Sequence, residues 1–197
     1  RLLTTRLKLG LFDEATPWSD LGASVVEHES HVELAREAAR KSIVLLKNAN
    51  GALPLDKAIR NLYVTGPHAA SNEILLGNYY GLSGEMVSIL EGLVSAVSAG
   101  TTLNYKYGQL PYSPNVNPKN SALGDAGRAE ATIVVLGVSG QFEGEEGSAV
   151  ASPSKGDRID LGLPEGQLQF LRQLHDRSSG PLILVLTGGS PFTTPEI

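Results

Sequence analysis

The stretch Thr132-Ile133-Val134-Val135-Leu136-Gly137-Val138 carries the strongest fold signal in this chain. It is an almost continuous apolar run, which is typical of a strand buried on both faces of a parallel sheet. A second run of this kind, LILVL at residues 182–186, is closed by Gly188-Gly189. Both runs therefore predict strands with other layers of the fold packed above and below them.

Segments with helical spacing alternate with strand-like segments on both sides of these runs. Helices are predicted over residues 1–12, 31–46, 88–99, 121–131 and 164–175, and further strands over 61–65 and 102–107. Strands that alternate with helices are typical of an α/β fold. The pattern predicts a three-layer sandwich, with a mostly parallel sheet and helices on both faces.

The composition is that of an ordinary packed domain and excludes several classes of protein. Of the 197 residues, 41% are hydrophobic, which excludes bulk disorder. A mean hydropathy of -0.05 and the lack of a long apolar run argue against a membrane span. A net charge of -5 argues against a nucleic-acid partner, which basic patches would bind. The absence of Cys excludes disulfides, thiolate nucleophiles, zinc ribbons and iron–sulfur clusters.

The loops that follow the predicted strands are where we expect a ligand, because open α/β sheets bind ligands at the carboxyl ends of their strands. These loops lie at residues 66–68, 137–158 and 188–191. The loop at 137–158 is the longest and most charged, so we expect the chemistry there. His68 is a candidate ligand contact in the first loop, whereas the other three histidines are expected at the surface. Ser190 lacks the GxSxG context of a nucleophilic serine.

Three glutamates, Glu143, Glu145 and Glu146, fall within four positions of the long loop and are flanked by glycines. Crowded carboxylates repel one another, so the pKa of at least one of them should be raised. A carboxylic acid that stays protonated near neutral pH is what general acid catalysis requires. The cluster therefore predicts a general acid.

Other interpretations of this loop stay open. The cluster is also compatible with a solvated acidic loop or with a Ca²⁺ site, although the alternating ligands of an EF-hand are missing. A phosphate cradle at residues 137–140 is a further option, but the glutamates would repel a phosphate and no GxGxxG motif is present. Asp157 and Arg158, which follow, are expected to form a structural ion pair, with ligand contact by Arg158 as the alternative.

An ordered set of motifs resembles one family. The motifs are RLKLGLFD at residues 6–13, AREAARKSIVLLKN at 35–48, LPL at 53–55, VTGP at 64–67, LLGNYYG at 75–81, ILEGL at 89–93, VVLGVSGQFEGEEG at 134–147, GDRIDLGLPEGQ at 156–167 and LILVLTGGSP at 182–191. Their order and spacing resemble the second domain of glycoside hydrolase family 3, the β-glucosidases and β-xylosidases. The resemblance is strongest to a bacterial branch that combines an EGEE loop with GDR and LP-x-x-Q.

The resemblance implies a retaining, exo-acting glycosidase that hydrolyses terminal β-linked sugars of plant cell-wall oligosaccharides, as in xylan degradation. Enzymes of this family attack the sugar with an Asp on a (β/α)8 barrel domain and protonate the leaving group with a Glu from the α/β sandwich. A retaining mechanism places the two carboxyl groups about 5–5.5 Å apart. It requires no cofactor and no metal, because carboxylates fill both roles. The family implies a secreted or periplasmic location, and no nucleic-acid or membrane partner is expected.

The resemblance also implies how the chain is organised. Residues 1–24 are interpreted as a linker segment that leaves an N-terminal barrel, which this sequence lacks. Residues 25–197 are interpreted as the sandwich domain, incomplete at its C-terminus. Because the sequence opens without an initiator Met, we expect it to be a fragment or a processed chain. The nucleophile would lie on the barrel, so we expect little activity from this chain alone.

The family pattern assigns roles to six residues of this sequence. The general acid/base is predicted to be Glu146, with Glu145 as the alternative. The substrate-binding residues are predicted to be Glu143, Asn78, Tyr79 and Arg158.

Two other functions remain open at this stage. A non-catalytic carbohydrate-binding or scaffold module would use the same α/β fold. A nucleotide-binding domain would require a phosphate-binding loop, which the sequence does not contain. The choice among xylose, glucose and arabinose is also left open.

Overall fold

The computed structural model describes residues 1–77, 81, 83–144, 151–152 and 154–193. The chain divides into two compact units, Arg1–Asn48 and Ala49–Ile197. Residues 1–24 were interpreted as a linker to a barrel domain, and this interpretation stays a prediction.

The first unit contains helix α1, at Leu2–Lys8, and helix α2, at Glu29–Ser42. Helix α2 begins where Nδ1 of His28 accepts a hydrogen bond from the backbone N–H of Ser30. It ends at Ser42, although the apolar spacing predicted a helix to residue 46. Two β-branched residues follow directly, and such residues favour extended backbone. The apolar side chains of residues 43–46 are 65–78% exposed.

The second unit is built on a parallel sheet. In the part of the chain that the structure describes, its strands are β1 at Asn61–Thr65, β2 at Thr102–Lys106, β3 at Ala131–Gly137 and β4 at Leu182–Thr187. They lie in the order β2-β1-β3-β4, and each neighbouring pair is parallel. The sequence predicted these strands to within about a residue at each end, because apolar runs bounded by turns are strong local signals.

Further helices of this unit cover both faces of the sheet. They are α3 at Ile89–Ala96, α4 at Ala122–Ala126 and α6 at Glu165–Arg177, whereas α5, at Gly140–Glu143, follows β3 in the loop after that strand. Val134 and Leu136 of β3 pack in one core cluster with residues of α4 and α6. Ile133 and Val135 face the other way and pack in a second cluster with residues of α3. The predicted three-layer α/β sandwich is confirmed.

Several helix boundaries differ from the predicted ones. Helix α4 ends at Ala126 rather than at 131, and Ala131 already starts β3. Helix α5 was not predicted, since its four residues are too few to show a helical period. Among the helices of the described residues, none combines the length and the apolar character needed to cross a membrane.

Candidate active site

The loops after β1, β3 and β4 meet at the carboxyl edge of the sheet. His68 follows β1, and its Nδ1 lies 2.7 Å from Oγ1 of Thr187, the last residue of β4. The Thr187 hydroxyl donates in turn to the carbonyl of Leu136 in β3. Because that hydroxyl proton is used, Nδ1 of His68 is the nitrogen that donates to Oγ1. Three strand ends are thus joined through two side chains.

The environment of His68 makes it a structural residue. Its side chain is buried, and burial lowers the pKa of His68 to about 4, partly opposed by the negative charge of Glu73. The imidazole is therefore neutral near pH 7. The sequence suggested His68 as a ligand contact, but its side chain is directed into the junction of the strands instead.

The end of β3 is held by a buried glutamine. Gly137 has a φ of 147°, and a β-carbon built there would lie 1.8 Å from the Thr187 carbonyl oxygen. Only glycine fits this close approach of two strands. Gln167 of α6 accepts a hydrogen bond from the Gly137 N–H and donates to the Gly137 carbonyl, both at 2.8 Å. It also donates to the carbonyl of Pro111, at 2.7 Å.

Gln167 was not predicted as a site residue. It lies on the same face of α6 as Phe170, Leu171 and Leu174, which all belong to the core. A polar residue within an apolar helical stripe was the signal that could have identified it, because a buried amide needs hydrogen-bond partners.

Glu143 lies at the end of α5, beside the loop that follows β4. Its side chain is half-buried, and a β-carbon built at Gly189 would lie 3.2 Å from Oε2 of Glu143. Tyr112, from the loop after β2, stacks on Phe142, and its hydroxyl is hydrogen-bonded to Oγ of Ser139. The predicted site residue Glu143 is therefore brought against the exit of β4.

Arg158 contacts the same loop, the one after β4. It lies at the other end of the acidic segment, which comprises residues 143–158. Its Nη1 donates to Oγ of Ser190 at 2.9 Å, and its guanidinium carbon lies 5.4 Å from the ring centroid of Phe192. Its other nitrogens donate to the backbone carbonyls of Asp160 and Gly162. Arg158, at the end of the loop at 137–158, thus lies beside the loop that follows β4.

The prediction of an ion pair between Asp157 and Arg158 was wrong. No salt bridge between these two side chains occurs within the described parts of the chain. The guanidinium turns instead toward Ser190 and two backbone carbonyls, which use its donors. Arg158 as a substrate-binding residue stays a prediction.

Four of the predicted site residues, Glu145, Glu146, Asn78 and Tyr79, lie outside the described residues. Their assignments stay predictions, as does the calcium interpretation, which depends on the same glutamates. Within the described ranges, no group of three or more His, Asp or Glu side chains is placed to hold a metal ion.

The family model for the glycosyl hydrolase family 3 C-terminal domain matches residues 43–197. This chain belongs to that family. The resemblance drawn from the sequence motifs is thereby confirmed. The match covers the whole of the second unit, including the acidic segment and the loops after β1, β3 and β4.

The curated relatives of this chain are longer proteins. The chain is 36% identical over 193 residues to beta-xylosidase/alpha-L-arabinofuranosidase 2 of Medicago sativa subsp. varia, covering 94% of this chain and 23% of the relative. It is 35% identical over 200 residues to a beta-xylosidase of Formosa agariphila, covering 98% of this chain and 26% of that protein. The chain thus spans about a quarter of the length of these relatives.

Solved structures of an exo-β-xylosidase and of a β-glucosidase share the fold. A GH3 exo-beta-xylosidase, XlnD, in complex with a xylobiose aziridine activity-based probe, superposes with a TM-score of 0.79 at 28% identity, covering 98% of this chain and 23% of that one. A β-glucosidase from Erythrobacter marinus superposes with a TM-score of 0.74 at 31% identity, covering 98% and 28%. This chain is therefore a domain of the family that contains β-xylosidases and β-glucosidases.

Proposed function

We propose that this chain supplies the general acid/base to a retaining, exo-acting β-glycosidase. The substrates would be plant cell-wall oligosaccharides with terminal β-linked xylose or glucose. One observation carries the proposal: at the two ends of the acidic segment, Glu143 lies beside Gly189, and Arg158 donates a hydrogen bond to Ser190, the next residue of the same loop. Glu145 and Glu146 lie between them in the sequence, and the described ends of this segment are at the carboxyl edge of the sheet, where open sheets bind ligands.

In the proposed reaction, the two catalytic carboxyl groups belong to two different domains. Glu146, with Glu145 as the alternative, donates a proton to the glycosidic oxygen while an Asp of the barrel domain attacks the anomeric carbon. The bond to the leaving group breaks, and a covalent glycosyl-enzyme forms. The same glutamate, now ionised, takes a proton from the water that hydrolyses this intermediate.

The neighbouring residues support this role for the glutamate. Glu143 is half-buried beside the loop that follows β4, and it is proposed to accept a hydrogen bond from a sugar hydroxyl. Arg158 is proposed to anchor the segment and to offer donors to sugar hydroxyl groups, together with Asn78 and Tyr79. Relatives that bear the name beta-xylosidase support the xyloside substrate.

The nucleophile is proposed to belong to the barrel domain, so this chain alone should not turn over. The complete enzyme is proposed to be secreted or periplasmic, where cell-wall oligosaccharides are met.

The test compares hydrolysis of p-nitrophenyl β-xyloside and β-glucoside by this chain and by the enzyme that joins it to its barrel. We expect activity from the joined enzyme only. Glu146→Gln or Glu145→Gln should lower kcat by about 10²-fold or more, because general acid catalysis contributes this much. Added azide should restore turnover of an activated substrate, since azide needs no general base.

A matched control is Glu130→Gln, which removes one negative charge at the opposite edge of the sheet, where Glu130 contacts Arg60. It should leave activity within about twofold, because surface changes away from the site have small effects. If both loop variants keep full activity, or the joined enzyme is inert on every β-glycoside, the catalytic proposal fails. The alternative of a non-catalytic carbohydrate-binding or scaffold module would then take its place.

A further inference from the structure

The acidic segment is reached through α5, and one side chain from another loop holds both ends of that helix. The ring of Tyr112 stacks on Phe142, with 4.8 Å between the ring centroids and 12° between the planes. The hydroxyl of Tyr112 is hydrogen-bonded to Oγ of Ser139, the buried residue that precedes α5. An offset stack of this kind stabilises by more than the apolar area it buries.

We propose that Tyr112 is a positioning residue for the general acid/base glutamate, a proposal that rests on the function proposed above. A helix as short as α5 has almost no stability of its own, because helix nucleation is costly. Its placement therefore depends on contacts with other elements. Tyr112 makes two such contacts, and α5 ends at Glu143, only two residues before Glu145.

Tyr112 is itself firmly anchored. The carbonyl of Pro111, the residue before it, accepts a hydrogen bond from Nε2 of Gln167. The same buried side chain holds both backbone groups of Gly137, at the end of β3. Buried Gln109 adds bonds to two further carbonyls of this loop, those of Ser113 and Asn115. The loop that carries Tyr112 is thus tied to the strand from which the acidic segment departs.

The contact with Ser139 persists across the pH range of an assay. Burial raises the pKa of Tyr112, so its hydroxyl stays protonated at neutral and acidic pH. Losing the contact would let α5 shift. A displacement of about 1 Å at a reacting group costs on the order of 100-fold in rate, so even a partial shift should be measurable.

A misplaced acid has a kinetic signature that general damage to the fold lacks. A disaccharide has a poor leaving group and needs the proton, whereas a 2,4-dinitrophenyl glycoside departs without it. Loss of acid positioning should therefore lower kcat/KM for the disaccharide alone. A structural defect would lower both values together, because it reduces the amount of active enzyme.

The experiment measures kcat/KM of the joined enzyme on xylobiose and on 2,4-dinitrophenyl β-xyloside, or on the glucosides if it prefers them. Tyr112→Leu should lower the disaccharide value about tenfold and the dinitrophenyl value less than about twofold. Tyr112→Phe and Ser139→Ala, which keep the ring stack, should each lower the disaccharide value about threefold. The double variant should lower it no further, because both substitutions remove the same hydrogen bond. Tyr107→Leu is the matched control at an exposed tyrosine of the same loop and should change neither value.

Equal losses on the two substrates, or no loss in any Tyr112 or Ser139 variant, would overturn the proposal. If Tyr112→Leu fails to fold, the two conservative variants decide the question. Glu146→Gln and Glu145→Gln are run in the same assay. If one of them lowers kcat/KM for the disaccharide alone and the Tyr112 variants do not, this inference fails and the proposed function stands. If neither glutamate variant does so, the proposed function fails.

Discussion

At the scale of single residues, the protonation of buried His68 makes the stability of the fold depend on pH. In the unfolded chain its pKa is near 6.5, while burial lowers the pKa of His68 to about 4 in the folded domain. Between these values the unfolded state binds more protons, so stability falls as pH falls. The contribution of neutral His68 is complete above pH 6.5 and is lost by about pH 4. The loss is on the order of 3 kcal/mol in total.

His68→Asn should therefore flatten the acid side of the stability curve. Asparagine does not titrate, and its amide can still donate to Oγ1 of Thr187. Urea denaturation at several pH values from 7.5 to 4.5 should give a free energy of unfolding that falls about 2 kcal/mol less than in the unchanged chain. His175→Asn, which removes an exposed histidine of α6, is the matched control variant. Parallel curves for His68→Asn and the unchanged chain would contradict the assignment.

At the scale of elements, α6 joins the core and the site through one residue. Its apolar face packs in the first core cluster, and Gln167 on that face closes the end of β3. Strand positions were predictable because apolar runs are local signals. Helix α5 was not, since four residues are too few to show a helical period, and Ser139 and Phe142 contact Tyr112 from another loop.

Gln167→Leu should destabilise the chain by about 3 kcal/mol, because it leaves buried backbone groups of Gly137 and Pro111 without their partners. The matched control is Gln173→Leu, at an exposed position of the same helix, which should change stability by about 0.5 kcal/mol at most. The free energies of unfolding in urea provide the comparison. Equal effects of the two substitutions would show that the hydrogen bonds of Gln167 contribute little.

At the scale of the whole molecule, both core clusters of the described residues draw their members from the second unit. The first unit, by contrast, leaves the apolar side chains of residues 43–46 largely exposed. This distribution indicates that the second unit contains the interactions needed for its own folding.

A chain of residues 49–197 should therefore fold without the first unit. We expect one cooperative thermal transition, with a Tm within about 5 °C of the full chain, which corresponds to a change of one to two kcal/mol. Circular dichroism and calorimetry measure it. A chain of residues 61–197, which also lacks the core-packing residues Leu55 and Ile59, is the comparison and should melt lower. Loss of the cooperative transition in the 49–197 chain would show that residues 1–48 complete the core.

The amino-acid sequence by itself determined the α/β class, the strands and the family. The class and the strands depend on apolar periodicity and on turn residues, and the family depends on an ordered set of motifs, all of which are properties of the sequence itself. Only the tertiary structure decided which side chains meet at the strand ends. His68 and Thr187 are 119 residues apart, and Glu143 approaches Gly189 across two loops. Such contacts depend on strand order and register, which arise from the packing of the whole sheet and not from any local pattern.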